Sequence, residues 1–171
     1  MKALNTNNGF LKLLSLATVL FLHVCISSAQ PVIPQRAITV TPTQSLNFGR
    51  FCVTGSGGTV TIPWQGSVTS TGGIVLISAP TPYPAIFEIK LCEGRQVTIT
   101  FSATTLLSGS NGGSLILDIG PTEKGVNGVI FATNSDCNFI TPLRVGGTLH
   151  VPGTAIPGIY TGSFDMTFNQ Q

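Results

Sequence analysis

The last residues of the chain, 158–171, read GIYTGSFDMTFNQQ and carry its most regular pattern. From residue 160, polar residues separate a row of large apolar side chains that is interrupted only at Gly162: Tyr160, Phe164, Met166 and Phe168. This alternation predicts a β-strand with one face in a core. We expect residues 158–169 to form an integral strand paired with residues 46–53, so that the domain folds without a strand from another chain.

The rest of the chain repeats this pattern in shorter runs. GGIVLIS (72–78) is apolar throughout and is interpreted as a strand buried on both faces. Segments rich in Gly, Pro, Ser and Asn, such as GSGG and APTPYP, separate the runs. No stretch between the two ends of the chain has a sustained helical period. This spacing predicts an all-β sandwich or barrel. The predicted inward residues are Val60, Ile62, Trp64, Ala85, Phe87, Ile89, Leu91, Val97, Ile99, Phe101, Leu115, Leu117 and Ile119.

Residues 1–29 have the three parts of a secretory signal peptide. Lys2 and Lys12 precede an apolar run over residues 13–25. Ser27, Ser28 and Ala29 are the small residues expected at a cleavage site before Gln30. The run is short for a bilayer span, which argues against an uncleaved anchor. Lipid attachment at Cys25 is a further alternative, but residues 22–24 lack the small residue expected before such a cysteine. We therefore divide the chain into a signal peptide (1–29), a short N-terminal segment (30–36) and one β-sandwich domain (37–171).

The charge of the mature chain excludes several kinds of partner. Lys2 and Lys12 account for the formal net charge of +2, so the chain after cleavage has as many basic as acidic residues. Without a basic patch, nucleic acid and anionic membranes are not expected as partners. Few charges also leave Thr, Ser, Gly and Asn to cover the surface, which gives weak protection against association between sheet edges.

The motifs contain little that points to chemistry. His150, the one histidine of the mature chain, alternates with Leu149 and Val151 and is interpreted as a solvent-facing strand residue. No nucleophile-elbow sequence accompanies it, and no cluster has metal-ligand spacing. The glycine-rich GSGGTV precedes a strand rather than a helix, so we interpret it as a hairpin turn and not as a phosphate-binding loop. We expect no catalytic residue, metal or cofactor.

Three aromatic residues are considered as ligand contacts. Trp64 continues the alternation of Val60 and Ile62 and is assigned to the core. Tyr83 lies in the turn PTPYPA and is the better surface candidate. With Phe139 in the segment NSDCNFITP, it would form a loop-based recognition site if the fold brought the two loops together.

Three cysteines remain after cleavage: Cys52, Cys92 and Cys137. An exported chain meets an oxidising compartment, so we expect one intramolecular disulfide and one leftover thiol. A strict up-and-down order of strands would favour pairing of Cys52 with Cys137. One crossover connection would reverse that inference, and Cys92 with Cys137 is the competing pair.

The order of several segments resembles a known family. These segments are LNFGRFCVTGSGGTVTIPWQGSVTSTGGIVLI (46–77), YPAIFEIK (83–90), GSNGGSLILDIG (109–120), RVGGTLHVPG (144–153) and GIYTGSFDMTFNQ (158–170). Together they resemble the secreted bacterial family known as domain of unknown function 4402, over nearly the whole mature chain. The resemblance implies a Gram-negative source and an immunoglobulin-like sandwich similar to fimbrial subunits. It implies no catalytic residues.

Two classes of function follow from these features. The first is a non-catalytic structural or adhesive subunit at the cell surface or in the periplasm, possible partners being other surface or pilus-like subunits. The second is a module that binds carbohydrate or another surface ligand through loops, with Tyr83 and Phe139 as its contacts. An enzyme is the third and least expected class. We also expect no membrane span in the mature chain, which should fold as a monomer.

Overall fold

The computed structural model describes residues 37–91 and 94–171. The predicted signal peptide, the segment 30–36 and Cys92 lie outside these residues. The described ranges contain strands and no helix, and every strand pairing is antiparallel, which confirms the all-β prediction. No helix that would cross a membrane occurs in them. The strands are β1 (Thr39–Gln44), β2 (Arg50–Ile62), β3 (Thr69–Ile77), β4 (Ala85–Lys90), β5 (Gln96–Phe101), β6 (Thr104–Gly109), β7 (Ser114–Thr122), β8 (Ile130–Ala132), β9 (Thr141–Pro152), β10 (Tyr160–Thr161) and β11 (Met166–Gln170).

Two sheets share one core. The larger has eight strands in the path β1-β4-β9-β7-β6-β10, with β2 joined to β9 and β3 joined to β2. The smaller sheet has the order β11-β5-β8. Inward residues of both sheets belong to a single buried cluster, including Val60 and Leu149 of the larger sheet and Ile99 of the smaller one. Burial of this apolar surface is the main stabilising contribution to the fold.

Strand β9 organises the larger sheet. One edge of β9 pairs with β4 over residues 141–145 and with β2 over residues 147–152, while the other edge pairs with β7. Partners that are far apart in sequence are therefore neighbours in the sheet, and the order is not a simple up-and-down meander. This is the crossover condition that removes the argument for pairing Cys52 with Cys137.

Most predicted inward faces are confirmed. Alternate residues of β5 and β7 are buried, as are Ala85, Ile89 and Leu91 around β4. His150 is exposed between buried Leu149 and Val151, as its alternation predicted. The assignment of Trp64 to the core is wrong, because β2 ends at Ile62 and Trp64 lies half-buried in the turn that follows.

The interpretation of GSGG as a hairpin turn is also wrong. These residues lie inside β2, where the register against β3 jumps between Val53 and Gly58. Gly55 and Gly57 have φ of +62° and +70°, so the extra residues protrude as a bulge while the strand continues on either side. The hairpin between β2 and β3 instead closes through residues 63–68.

The apolar run GGIVLIS is not buried on both faces. It forms most of β3, which pairs with β2 and with no other described strand. Ile74 is 6% exposed, whereas Val75 is 55% and Ile77 is 41% exposed. A strand at the edge of a sheet has only one face against the core, so an uninterrupted apolar run there leaves alternate side chains in solvent.

The C-terminal region is two strands, not one. β10 pairs with β6, and β11 pairs with β5, so neither pairs with residues 46–53 as predicted. Residues 162–165 between them pass from the larger sheet to the smaller one. The predicted inward row packs against the core but is only half-buried, because both strands lie at sheet edges: Tyr160, Phe164, Met166 and Phe168.

Candidate functional site

The two predicted loop aromatics do not form a common site. Tyr83 is 38% exposed and Phe139 is 60% exposed. Tyr83 precedes Ala85, which pairs with Val145, whereas Phe139 precedes Thr141, which pairs with Ile89. The four residues of strand from Ala85 to Ile89 span about 13 Å. Tyr83 and Phe139 lie beyond opposite ends of this span. The aromatic cluster that would favour loop-based recognition is therefore absent from this part of the fold.

Tyr83 is instead held against the neighbouring segment. The backbone groups of Tyr83 and Asn47 exchange two hydrogen bonds, each 2.9 Å long. The Asn47 side-chain NH2 also donates to the Tyr83 hydroxyl over 3.3 Å, and the side-chain oxygen Oδ1 of Asn47 accepts from the Gly49 backbone amide over 2.7 Å. These bonds connect the loop that contains Tyr83 to the segment that contains Asn47.

The cysteines differ in state. Cys52 is a free, exposed thiol on β2, so the pairing of Cys52 with Cys137 is wrong. The position of Cys52 explains why its thiol is free, because Cys52 lies directly opposite Val75 of β3 on the outer side of the hairpin. Cys137, in the connection between β8 and β9, is disulfide-bonded.

A carboxylate–imidazole pair on the outer face of the larger sheet was missed from the sequence. Oδ2 of Asp118 on β7 lies 2.6 Å from Nε2 of His150 on β9, and both side chains are about half exposed. Each residue occupies an outward position in its own alternating run, which is the available sequence signal. Their proximity depends on the register that places Ile116 opposite His150, and no local pattern contains that register.

Beside this pair lies a shallow depression of about 470 Å³. Leu106 and Ile116, which are directly opposite each other on β6 and β7, form its exposed apolar surface. Ser114 lines it on the same strand face as Asp118, but Ile116 separates the two. His150 makes its side-chain hydrogen bond to Asp118 and to no nucleophile among the described residues. The pair is thus suited to hydrogen-bond a ligand, and its geometry is not that of a Ser-His-Asp triad.

Threonines extend this face across β2 and β3. The hydroxyls of Thr59 and Thr71 lie 2.7 Å apart, and those of Thr61 and Thr148 lie 3.1 Å apart. These cross-strand pairs satisfy one another and make the β2 side of the face polar and uncharged, whereas Leu106 and Ile116 make the β6 side apolar. In the described ranges, no three His, Cys, Asp or Glu residues converge as a metal site would require.

Together these features define a single all-antiparallel β-sandwich whose outer face is partly polar and partly apolar. The chain belongs to the family described as Domain of unknown function (DUF4402), whose model matches residues 38–169. Neither the comparison with curated proteins nor that with solved structures gave a match.

Proposed function

We propose that this chain is an exported, non-catalytic structural or adhesive subunit at the cell surface or in the periplasm of a Gram-negative bacterium. The observation that carries the proposal is the uncharged open edge at β3, with two large apolar side chains in solvent beside it. An unprotected edge of this kind is a template for pairing with another chain. Such an edge suits a subunit whose role is assembly.

The experiment is fractionation of cells that express the native chain, followed by size measurement of material extracted without denaturation. We expect the chain outside the cytoplasm, in assemblies larger than one mature domain. Recovery in the cytoplasm would contradict export. A uniformly monomeric state at the native level of expression would contradict the subunit role.

Processing gives a second expected result. The exported protein should begin at Gln30, because the SSAQ boundary places small residues before the cleavage point. Intact-mass analysis of exported protein should find residues 1–29 removed and Gln30 free or cyclised. A mass that retains these residues, or a diacylglycerol on Cys25, would reject this result.

The disulfide supports the same location, and we propose Cys92 as the partner of Cys137. Disulfides persist in oxidising compartments outside the cytoplasm. The Gly94 amide donates to the Asn134 carbonyl over 3.2 Å, and the Thr133 amide donates to the Arg95 carbonyl over 2.9 Å. These bonds hold the segment that follows Cys92 beside the segment that leads to Cys137.

Peptide mapping without reduction tests this pairing. We expect one bridged pair, Cys92 with Cys137, and alkylation of Cys52 in the folded protein because its thiol is free and exposed. Closing a loop of this size should stabilise the fold by about 4 kcal/mol in the chain-entropy model. Mapping that links Cys52 to either cysteine, or alkylates all three, would contradict the pairing.

A carbohydrate-binding role is the second candidate, and the depression beside Asp118 and His150 favours it. A carboxylate and an imidazole offer acceptor and donor groups to sugar hydroxyls, while Leu106 and Ile116 offer an apolar surface. A glycan array should then show binding that His150→Ala removes and Tyr83→Ala leaves intact. Binding that Tyr83→Ala removes and His150→Ala leaves intact would instead place the binding site on the loop that contains Tyr83.

A further inference from the structure

The open edge of β3 lacks the usual protection against pairing. The sequence of β3, TSTGGIVLI, contains no charged residue and no proline. Natural edge strands are commonly blunted by lysine, by proline or by an inward-pointing charge. Since β3 pairs with β2 and with no other described strand, its second row of backbone donors and acceptors is left to solvent.

The side chains along this edge divide into two faces. Ile74 and Leu76 point toward the core, where Ile74 is buried and Leu76 is half-buried. Val75 and Ile77 point outward and are exposed. The outward pair therefore leaves apolar surface uncovered on the same strand whose backbone edge is unpaired.

Only part of β3 is regular enough to accept a partner. Gly72 has a φ of +66° at the register shift against β2, and the Ser70 hydroxyl reaches across to the Ile74 carbonyl over 3.2 Å. This irregularity separates residues 69–71 from the regular stretch 74–77. Pairing with an added strand is thus confined to IVLI, where the exposed apolar side chains lie.

We propose that this stretch pairs antiparallel with the same stretch of a second copy of the chain, about a two-fold axis at Leu76. The inference rests on the proposed function, for which it names the partner. In a two-fold interface each residue approaches its own counterpart or a near neighbour of it, so a charge on the strand would meet a like charge. Pairing with a second copy therefore requires a strand without charge, and β3 carries none. Pairing with an unrelated partner would not require an uncharged strand.

The position of the axis follows from the alternation of side chains. Residues directly opposite each other must point to the same face of the combined sheet. An axis at Leu76 places Val75 opposite Ile77 of the second copy, and the symmetric contact repeats this pair. An axis at Val75 would instead place Ile77 opposite Gly73 and leave it uncovered. The axis at Leu76 therefore buries the most exposed apolar surface.

The nearest charge does not oppose the pairing. Arg50 lies opposite Ile77 on β2, one strand away from the open edge. Three strand spacings therefore separate the two copies of Arg50, about 14 Å, which exceeds the Debye length of about 8 Å at physiological salt. With the axis at Leu76, only Val75, Leu76 and Ile77 of each copy pair within β3. The interface is therefore small, and the dimer is expected to be weak and dependent on concentration.

Sedimentation of the purified mature protein over a range of concentrations tests the pairing. We expect a monomer–dimer equilibrium that Val75→Lys with Ile77→Lys weakens at least tenfold, because the four lysines introduced meet across the axis. Val126→Lys is the matched control, since Val126 is 69% exposed and lies outside the strands, and it should leave the equilibrium unchanged. A monomer at every concentration, or equal association of all three proteins, would overturn the pairing.

Cysteine cross-linking tests the register and remains informative if the lysine variants fail to fold. In a Cys52→Ser background, Leu76→Cys should form a disulfide-linked dimer on mild oxidation, because directly opposite Cα atoms are about 4.5–5.5 Å apart. Ser70→Cys on the same strand should not. The reverse result would overturn the axis at Leu76.

The two proposals fail in distinguishable ways. An exported chain that remains monomeric in vitro and gives no Leu76→Cys cross-link overturns the β3 pairing while export stands. A chain that cross-links through Leu76→Cys but is retained in the cytoplasm supports the pairing and overturns the proposed function.

Discussion

Ending the chain at Pro157 is expected to abolish cooperative unfolding of the domain. The truncation removes β10 and β11, and with β11 it removes the five paired residues along one edge of β5. Ile99 and Phe101 of β5 are buried in the core and would lose the strand beside them. Because β5 would then pair only with the three-residue β8, the smaller sheet would not persist.

Side-chain packing adds to this loss. The ring of Phe87 lies 6.3 Å from that of Phe164 and 6.1 Å from that of Phe168, so the truncation separates an aromatic cluster that joins β4 to the C-terminal region. Complete burial of one large apolar side chain contributes about 1.5–3 kcal/mol. Half-burial of the four C-terminal side chains therefore corresponds to about 3–6 kcal/mol, which is comparable with the net stability of about 5–15 kcal/mol typical of a domain.

The measurement is urea unfolding followed by circular dichroism. The truncated chain should give no sigmoidal transition, whereas a chain that lacks only residues 30–35 should unfold like the full mature protein. A near-wild-type transition in the chain ended at Pro157 would contradict the role given to β11. A mature protein that folds only after addition of a donor peptide would contradict the prediction that the domain folds alone.

The inward faces were predictable because they depend on local geometry. A strand places successive side chains on opposite faces whatever its partners are, so the alternation in QVTITF and SLILDI identified the buried residues of β5 and β7. The same rule placed His150 in solvent. The family resemblance is confirmed by the family model, which covers residues 38–169.

Strand partners were not predictable in the same way. The alternation predicts one C-terminal strand and we expect it beside residues 46–53, but β10 pairs with β6 and β11 pairs with β5. These registers are set by the whole sheet and not by the local pattern. The apolar run in β3 predicts burial on both faces because periodicity cannot distinguish an interior strand from an apolar edge strand. The Asp118–His150 pair is hidden from local patterns for a related reason, since the two residues lie 32 positions apart in the sequence.

Composition was also ambiguous in the glycine-rich segment. GSGG has the residues of a hairpin turn, and the same residues build a bulge where φ is positive. A turn and a bulge are distinguished by the strands that flank the last glycine of this segment, Gly58. Gly58 lies between β3 and β9, opposite Gly72 on one side and Val151 on the other, so the strand has to continue there.

Gly58→Ala is accordingly expected to be among the most destabilising single substitutions in the chain. A Cβ at this position would overlap the carbonyl oxygen of Thr71, which belongs to the backbone of β3 and has no side-chain freedom to move aside. Moving β2 away from β3 would press it toward β9, because Gly58 pairs with both strands. Overpacking commonly costs about 1–3 kcal/mol, and a clash with fixed backbone on a central strand should cost at least about 3 kcal/mol.

Gly55→Ala separates this steric effect from the loss of a glycine as such. Gly55 lies in the same bulge with a φ of +62°, but no atom lies within 4 Å of its added Cβ, so the cost is limited to about 1–2 kcal/mol of backbone strain. Urea unfolding of the two variants should therefore rank Gly58→Ala well below Gly55→Ala in free energy of unfolding. Equal losses would mean that backbone conformation, rather than the close approach of β2 and β3, explains the glycines of this segment.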